Sequence, residues 1–172
     1  MARFRTRKDE SSKPSYITPE GYRKLEEEAA RLWSDERPKL TKAVAIAAAE
    51  GDRSENAEYI YGKKKLREVD QRLAFLSKRL DALTIVDSRP ADESRVFFGA
   101  WVTLEDEDGE LDTYRIVGPD ETDLKQKHIS VESPMAKALI GKREGDEVEV
   151  PRPKGDAYFV VEKVSFRAPE QG

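Results

Sequence analysis

Gly51-Asp52-Arg53-Ser54-Glu55-Asn56 separates two long stretches that each carry an apolar stripe at helical spacing, and this short break decides the fold. Downstream of it Leu66, Val69, Leu73, Leu76, Leu80 and Leu83 recur in steps of three and four, which keeps them on one helix face. Upstream, Tyr22, Leu25, Ala29, Leu32, Leu40, Val44 and Ala47 give a looser version of the same spacing. Two such arms joined by a few residues run antiparallel. The pattern predicts a coiled-coil hairpin with an exposed, acidic tip. With arms over about residues 19–50 and 53–83, a rise of ~1.5 Å per residue makes it roughly 45 Å long.

The punctuation of the arms agrees with this. Thr18 is placed as an N-cap, Pro19 as the first helical residue, and Ile17 can staple across to Tyr22. Gly51 supplies a C-terminal stop. Pro38 removes a backbone donor inside the first arm, so a kink or short break is expected there. Gly62 sits inside the second arm at a cost of ~1 kcal/mol relative to alanine.

Beyond the hairpin the period changes. Residues 88–94, with Arg89-Pro90 and Asp92-Glu93-Ser94, have linker composition. Strands are expected over residues 96–104, 111–117, 128–131, 147–150 and 158–166, with Ser133-Pro134 opening a short helix to Ile140. The fold class is therefore α+β, an N-terminal antiparallel helical hairpin (15–87) followed by a small α+β domain (95–167) and a tail (168–172). Residues 1–14 are polar and basic, without periodicity, and are expected to be disordered.

Composition removes several classes of function. The 172 residues are 38% charged and 37% hydrophobic, with a net charge of −4, which predicts no general affinity for nucleic acid or anionic membrane. There is no cysteine and one histidine, so thiolate and multi-histidine metal centres are impossible, and any metal must be held by oxygen. No apolar run reaches the length of a membrane span and the first residues lack a secretory apolar core, which predicts a soluble cytoplasmic protein.

Two readings of the tip stand side by side. Asp52 as N-cap with Glu55 three residues on would form a capping box at the start of the second arm. Alternatively, two carboxylates one turn apart could share a magnesium ion, weakly, as half a site that a second macromolecule completes. Behind the tip Lys63, Lys64, Lys65 and Arg67 are either a solvated basic face or a contact for a phosphate backbone. Tyr59 and Tyr61 are read as hairpin packing and rim contacts in preference to base-stacking platforms. Asp106, Asp108 and Glu110 alternate like a calcium loop, but Leu111 stands where the glycine is required, so they form a charged turn. His128 has no nucleophile pattern around it, and Ser133 lacks the glycines of a nucleophile elbow.

The stretch from Gly51 to Tyr59, set between these arms, resembles the tip of the Gre transcript-cleavage factors of bacterial RNA polymerase. Val96-Phe97-Phe98-Gly99-Ala100-Trp101-Val102, Tyr114-Arg115-Ile116-Val117-Gly118 and the run from Ile129 to Leu139 are similar to the family's C-terminal domain. Leu32-Trp33, Glu36-Arg37-Pro38, Asp52-Arg53-Ser54, Tyr61 and the basic run after it resemble the GreB type rather than the GreA type. Met1 to Lys13 exceeds the family's usual start.

The resemblance implies a coiled coil that enters the secondary channel of the polymerase and an FKBP-like C-terminal domain that docks on the channel rim. It implies that Asp52 and Glu55, with Ser54 as a helper, complete the coordination of Mg2+ held jointly with RNA polymerase and not tightly by the chain alone. It also implies that Lys63, Lys64 and Arg67 contact the 3′ end of the nascent RNA. The expected protein is a monomer that stimulates the polymerase's own cleavage of backtracked transcripts and is not a free-standing nuclease. Two other classes are a non-catalytic regulator that blocks the channel and a scaffold that self-associates through the coiled coil. Retention of both tip carboxylates argues against the blocker, and a charged tip argues against the scaffold. The FKBP-like resemblance licenses no prolyl isomerase activity.

Overall fold

The computed structural model describes residues 10–51 and 54–170. They divide into two units, one made of Tyr22–Leu83 with the segment that ends at Pro14, the other of Ser15–Gly21 with the chain from Thr84 onward.

In the first unit the upstream arm is α1 (Pro19–Arg31), a π-turn (Leu32–Glu36) and α2 (Arg37–Ala49), and the downstream arm is α3 (Ala57–Ala82). The expected break at Pro38 takes the form of the π-turn. The Arg37 N–H donates to the Leu32 carbonyl five residues back, immediately before the residue that has no N–H to give. Widening the helix there makes room for the proline ring without interrupting the arm. All the stripe residues of both arms are buried or half-buried, with Leu32, Ala47, Leu76 and Leu83 the most enclosed.

Contacts between the arms occur in reverse sequence order, as an antiparallel pair requires. The Tyr22 hydroxyl donates to the Leu80 carbonyl at 3.2 Å, Arg72 makes a two-pronged bond to Glu28 at 2.7 and 2.9 Å, and Arg37 meets Asp70 at 2.7 Å. Nearer the tip, Gly62 is buried against Val44. A Cβ on Gly62 would lie 2.8 Å from Val44 Cγ2, so the glycine is what lets the arms approach. Gly62→Leu is therefore expected to lower hairpin stability by about 1–3 kcal/mol through overpacking, the reverse of the gain that helix propensity alone would give. A thermal melt followed by helical circular dichroism measures this.

The Arg72 bond holds the Glu28 carboxyl below its ordinary value, against the upward push of partial burial. Its contribution is present above the carboxylate's unfolded-state pKa and is lost as pH falls through the lowered folded-state value. Both side chains are partly exposed, so the effect is expected to stay below about 1 kcal/mol. In the second unit Glu105 is pushed up by the Glu162 carboxyl that shares a hydrogen bond with it, and Glu149 by Asp156. These two favour the folded state at low pH and lose that contribution as pH rises, the opposite sign. On acidification toward pH ~4 the helical signal of Glu28→Gln should change less than that of the wild type.

The residues before the hairpin depart from expectation. The N-terminal extension was expected to be disordered throughout, yet Glu10–Ser12 forms a 3-10 turn, Ser11 is buried, and the Lys13 carbonyl accepts from buried Arg79 at 2.6 Å. A carbonyl that satisfies a buried guanidinium has a reason to be ordered that composition does not reveal. Residues 1–9 of that expected segment lie outside the described residues.

The second unit is a five-stranded sheet of β3 (Trp101–Glu105), β4 (Leu111–Val117), β5 (His128–Ser130), β6 (Glu147–Val150) and β7 (Ala157–Ser165) in the order β5-β4-β3-β7-β6. β4 and β5 pair parallel, the others antiparallel, and a register shift at Thr103/Leu104 marks an irregularity between β3 and β7. β1 (Ser15–Ile17) and β2 (Leu83–Ile85) make a separate two-stranded ribbon. One face of the sheet supplies Val102, Leu104, Ile116, Val148, Val150 and Val161 to the core, and α4 (Pro134–Leu139) adds Ala136 and Leu139. The Ser133 hydroxyl caps α4 by accepting from the Ala136 N–H at 3.2 Å. The expected strand over residues 96–104 begins only at Trp101. Val96 and Ala100 are fully buried but flank a turn at Phe98 and Gly99, where Gly99 at φ +86° redirects the backbone, and Val96 bonds instead to the backbone of Gly141 and Lys142.

The start of α1 is held within this unit. Thr18 Oγ1 accepts from the Gly21 N–H at 3.1 Å as an N-cap. Glu121 Oε2 accepts from the Thr18 N–H at 3.0 Å and the Gly118 N–H at 2.8 Å, while its other oxygen accepts from the Thr18 hydroxyl.

Candidate functional site at the hairpin tip

The tip is closed by Asn56. Its Oδ1 accepts from the Tyr59 N–H at 3.1 Å, which caps α3, and its Nδ2 donates to the Ala47 carbonyl of the other arm at 2.7 Å. Ala47 is buried and its carbonyl also receives the Glu50 N–H, so one amide side chain ties the end of α2 to the beginning of α3. Gly51 follows at φ +144°, a conformation that a side chain disfavours.

This arrangement corrects the capping-box reading. The N-cap is Asn56, not Asp52, and α3 opens at Ala57 rather than at residue 53. Asparagine caps as well as aspartate, and only Asn56 carries an N–H to offer the Ala47 carbonyl. Glu55 thus precedes the helix and is exposed, as is Ser54 beside it. Asp52 and Arg53 lie outside the described residues, and so does the pairing of Asp52 with Glu55 expected from the sequence. Among the described residues no three His, Asp or Glu side chains converge as a metal-binding group.

The basic residues follow on α3. Lys63, Lys64 and Arg67 are exposed, while Lys65 is half-buried and meets Glu68 at 3.4 Å. The register that sets Val44 against Gly62 and Arg37 against Asp70 places Lys42 level with Lys64, and Lys39 level with Arg67. Lys39 is held by Asp35 at 2.9 Å, which pushes its ammonium up. The two tyrosines diverge. Tyr59 is half-buried, but Tyr61 keeps 61% of its surface exposed and is not hairpin packing.

Sequence reasoning missed Asn56 as the closure of the tip and Gly62 as a point of close contact with Val44 of the other arm. The signal for the first was an Asn three residues ahead of Tyr59 at the head of a periodic run, and for the second a glycine within a helix that needs none.

Away from the tip, the charged turn expected between β3 and β4 is present. Asp106 Oδ1 accepts from the N–H groups of Asp108 and Glu110, both at 2.9 Å. No described helix is long and apolar enough to cross a membrane.

Residues 15–85 match the family model described as transcription elongation factor, N-terminal, and residues 91–166 match the model for the C-terminal part of the transcription elongation factors GreA/GreB. The transcription elongation factor GreB of Haemophilus ducreyi is 55% identical over 155 residues, 90% of this chain and 96% of that protein. GreB of Pseudomonas aeruginosa is 61% identical over 147 residues, 85% of this chain and 88% of that protein. Among solved structures, GreA factor homolog 1 (Gfh1) of Thermus thermophilus is 26% identical with a TM-score of 0.41, covering 89% of this chain and 99% of that one. With both family models matched in order over nearly its whole length, the chain belongs to the GreA/GreB family of transcription elongation factors and is of the GreB type.

Proposed function

We propose that the helical hairpin enters the secondary channel of RNA polymerase and brings Asp52 and Glu55 to the polymerase's active centre, where they stimulate its intrinsic cleavage of the 3′ end of backtracked RNA. The observation that supports this reading is the division of labour at the tip. Asn56 does the capping and closes the two arms, which leaves the Glu55 carboxylate exposed and uncommitted to the helix it precedes.

Two hard oxygen donors suit Mg2+, and two are too few to hold it tightly. Asp52 and Glu55 would therefore bind it together with the polymerase, and the bound ion would supply charge stabilisation to the attacking and leaving oxygens of a phosphodiester displacement. The chain's own residues do the rest. The hairpin positions the two carboxylates, Ser54 assists from the same loop, and Lys63, Lys64 and Arg67 steer the phosphates of the displaced RNA. The β-sheet unit, read as FKBP-like, docks on the channel rim. The protein acts in the cytoplasm as a monomer and is no nuclease by itself.

The test is RNA cleavage in a stalled, backtracked polymerase complex, with the protein present or omitted, and with the protein and RNA alone. Acceleration that requires both protein and polymerase supports the shared site. Tight binding to the polymerase without acceleration would replace this reading with a non-catalytic regulator of the channel.

A further inference from the structure

Tyr61 and Gly62 are neighbours on α3, and the seam between the arms runs through Gly62. Tyr61 is thus turned about 100° from the seam, which accounts for its exposure. Its neighbours on that side of the helix are Ala57 and Glu58 one turn before, Lys64 and Lys65 one turn after, and Glu68 a turn beyond. Lys65 sets its Nζ 5.7 Å from the ring centroid and is itself steadied by Glu68. Lys63 and Arg67 stand exposed further round the same turns.

An exposed ring with an ammonium group over it and charged residues along the same side of the helix is poorly matched to an apolar protein surface, which would need apolar neighbours around the ring. It is well matched to single-stranded nucleic acid, which brings a flat π-face and a phosphate in every residue. The run from Lys63 to Arg67 reverses the sign of a chain whose net charge is −4, so the complementarity is local to this turn.

We propose that Tyr61 is a stacking platform for a nucleobase of the displaced RNA 3′ segment, with the phosphates beside that base on Lys64 and Lys65. The inference rests on the function proposed above and adds a base contact to it. Stacking uses a face common to all bases, so Tyr61 orients the segment without reading its sequence.

The experiment uses backtracked complexes on two RNAs that differ only in whether the displaced nucleotides carry bases or are abasic. Wild type, Tyr61→Phe, Tyr61→Leu and Tyr61→Ala are compared at limiting protein concentration. On the RNA with bases, wild type and Tyr61→Phe should cleave alike, and the leucine and alanine variants about ten-fold more slowly. On the abasic RNA all four should share one slow rate. Equal rates for all four on the RNA with bases would overturn the platform, as would a loss at Tyr61→Leu and Tyr61→Ala of the same size on both RNAs. Failure of the wild type to accelerate cleavage of either RNA would instead overturn the proposed function and the platform with it.

Discussion

Glu55→Gln is expected to lower cleavage stimulation by about 100-fold or more, the scale on which removing one preorganised charge-stabilising group slows a reaction. The substitution keeps the size of the side chain and removes only its charge. It leaves the structure of the tip alone, because the N-cap and the tie to the Ala47 carbonyl both belong to Asn56. Binding to polymerase should therefore persist, measured as competition between Glu55→Gln and labelled wild type for the same complex. Asn56→Ala is the informative contrast. It retains both carboxylates but loses a cap of about 1 kcal/mol and the tie between the arms, since the Ala47 carbonyl then keeps only the Glu50 N–H of its own arm, so its defect should shrink as temperature falls. A cleavage defect in Glu55→Gln that likewise shrank on cooling would mean that Glu55 is a structural residue.

The second large effect is expected in the sheet. Leu104 is 1% exposed on β3, the central strand, in a cluster with Val102, Ile116 and Val161. Leu104→Ala should cost about 3 kcal/mol, the sum of lost burial and the cavity left behind. For a unit of this size that corresponds to a fall in its melting temperature of more than ~10 °C. Tertiary signal from Trp101, on the same strand and with Arg115 of β4 3.9 Å from its ring, would follow the transition.

What the sequence disclosed depends on the range of the interaction that fixes each feature. The leucine stripe of α3 was legible because period alone assigns a face, and every residue of the stripe is at least half-buried. Thr18 and Ser133 were legible as caps because each bonds an N–H three residues on, within reach of local pattern. Asp52 and Asn56 were both acceptable caps, and the choice between them rests on Ala47, which belongs to the other arm. Residues 96–100 read as strand because an apolar run does not show where a buried segment is interrupted by a turn, and the positive φ at Gly99 is a fact of backbone geometry. The candidate site divides in the same way. Exposure of Lys63, Lys64 and Arg67 follows from where the seam lies, whereas the different fates of Tyr59 and Tyr61 follow from which of two adjacent residues, Tyr61 or Gly62, meets Val44.

The π-turn at Leu32–Glu36 also bears on how this arm can change length by descent. In a regular α-helix, gain or loss of one residue rotates everything beyond it by about 100°, which here would carry Val44 away from Gly62 and turn the tip to a different azimuth. A π-turn takes up one residue more than an α-turn, so a codon lost between Leu32 and Glu36 would return that segment to α-helix and leave both flanking halves in phase. The first arm can thus exist in two lengths with the same tip orientation. Alignments of related chains should admit a one-residue gap at this turn, while a gap a turn to either side would mark a hairpin whose tip faces elsewhere.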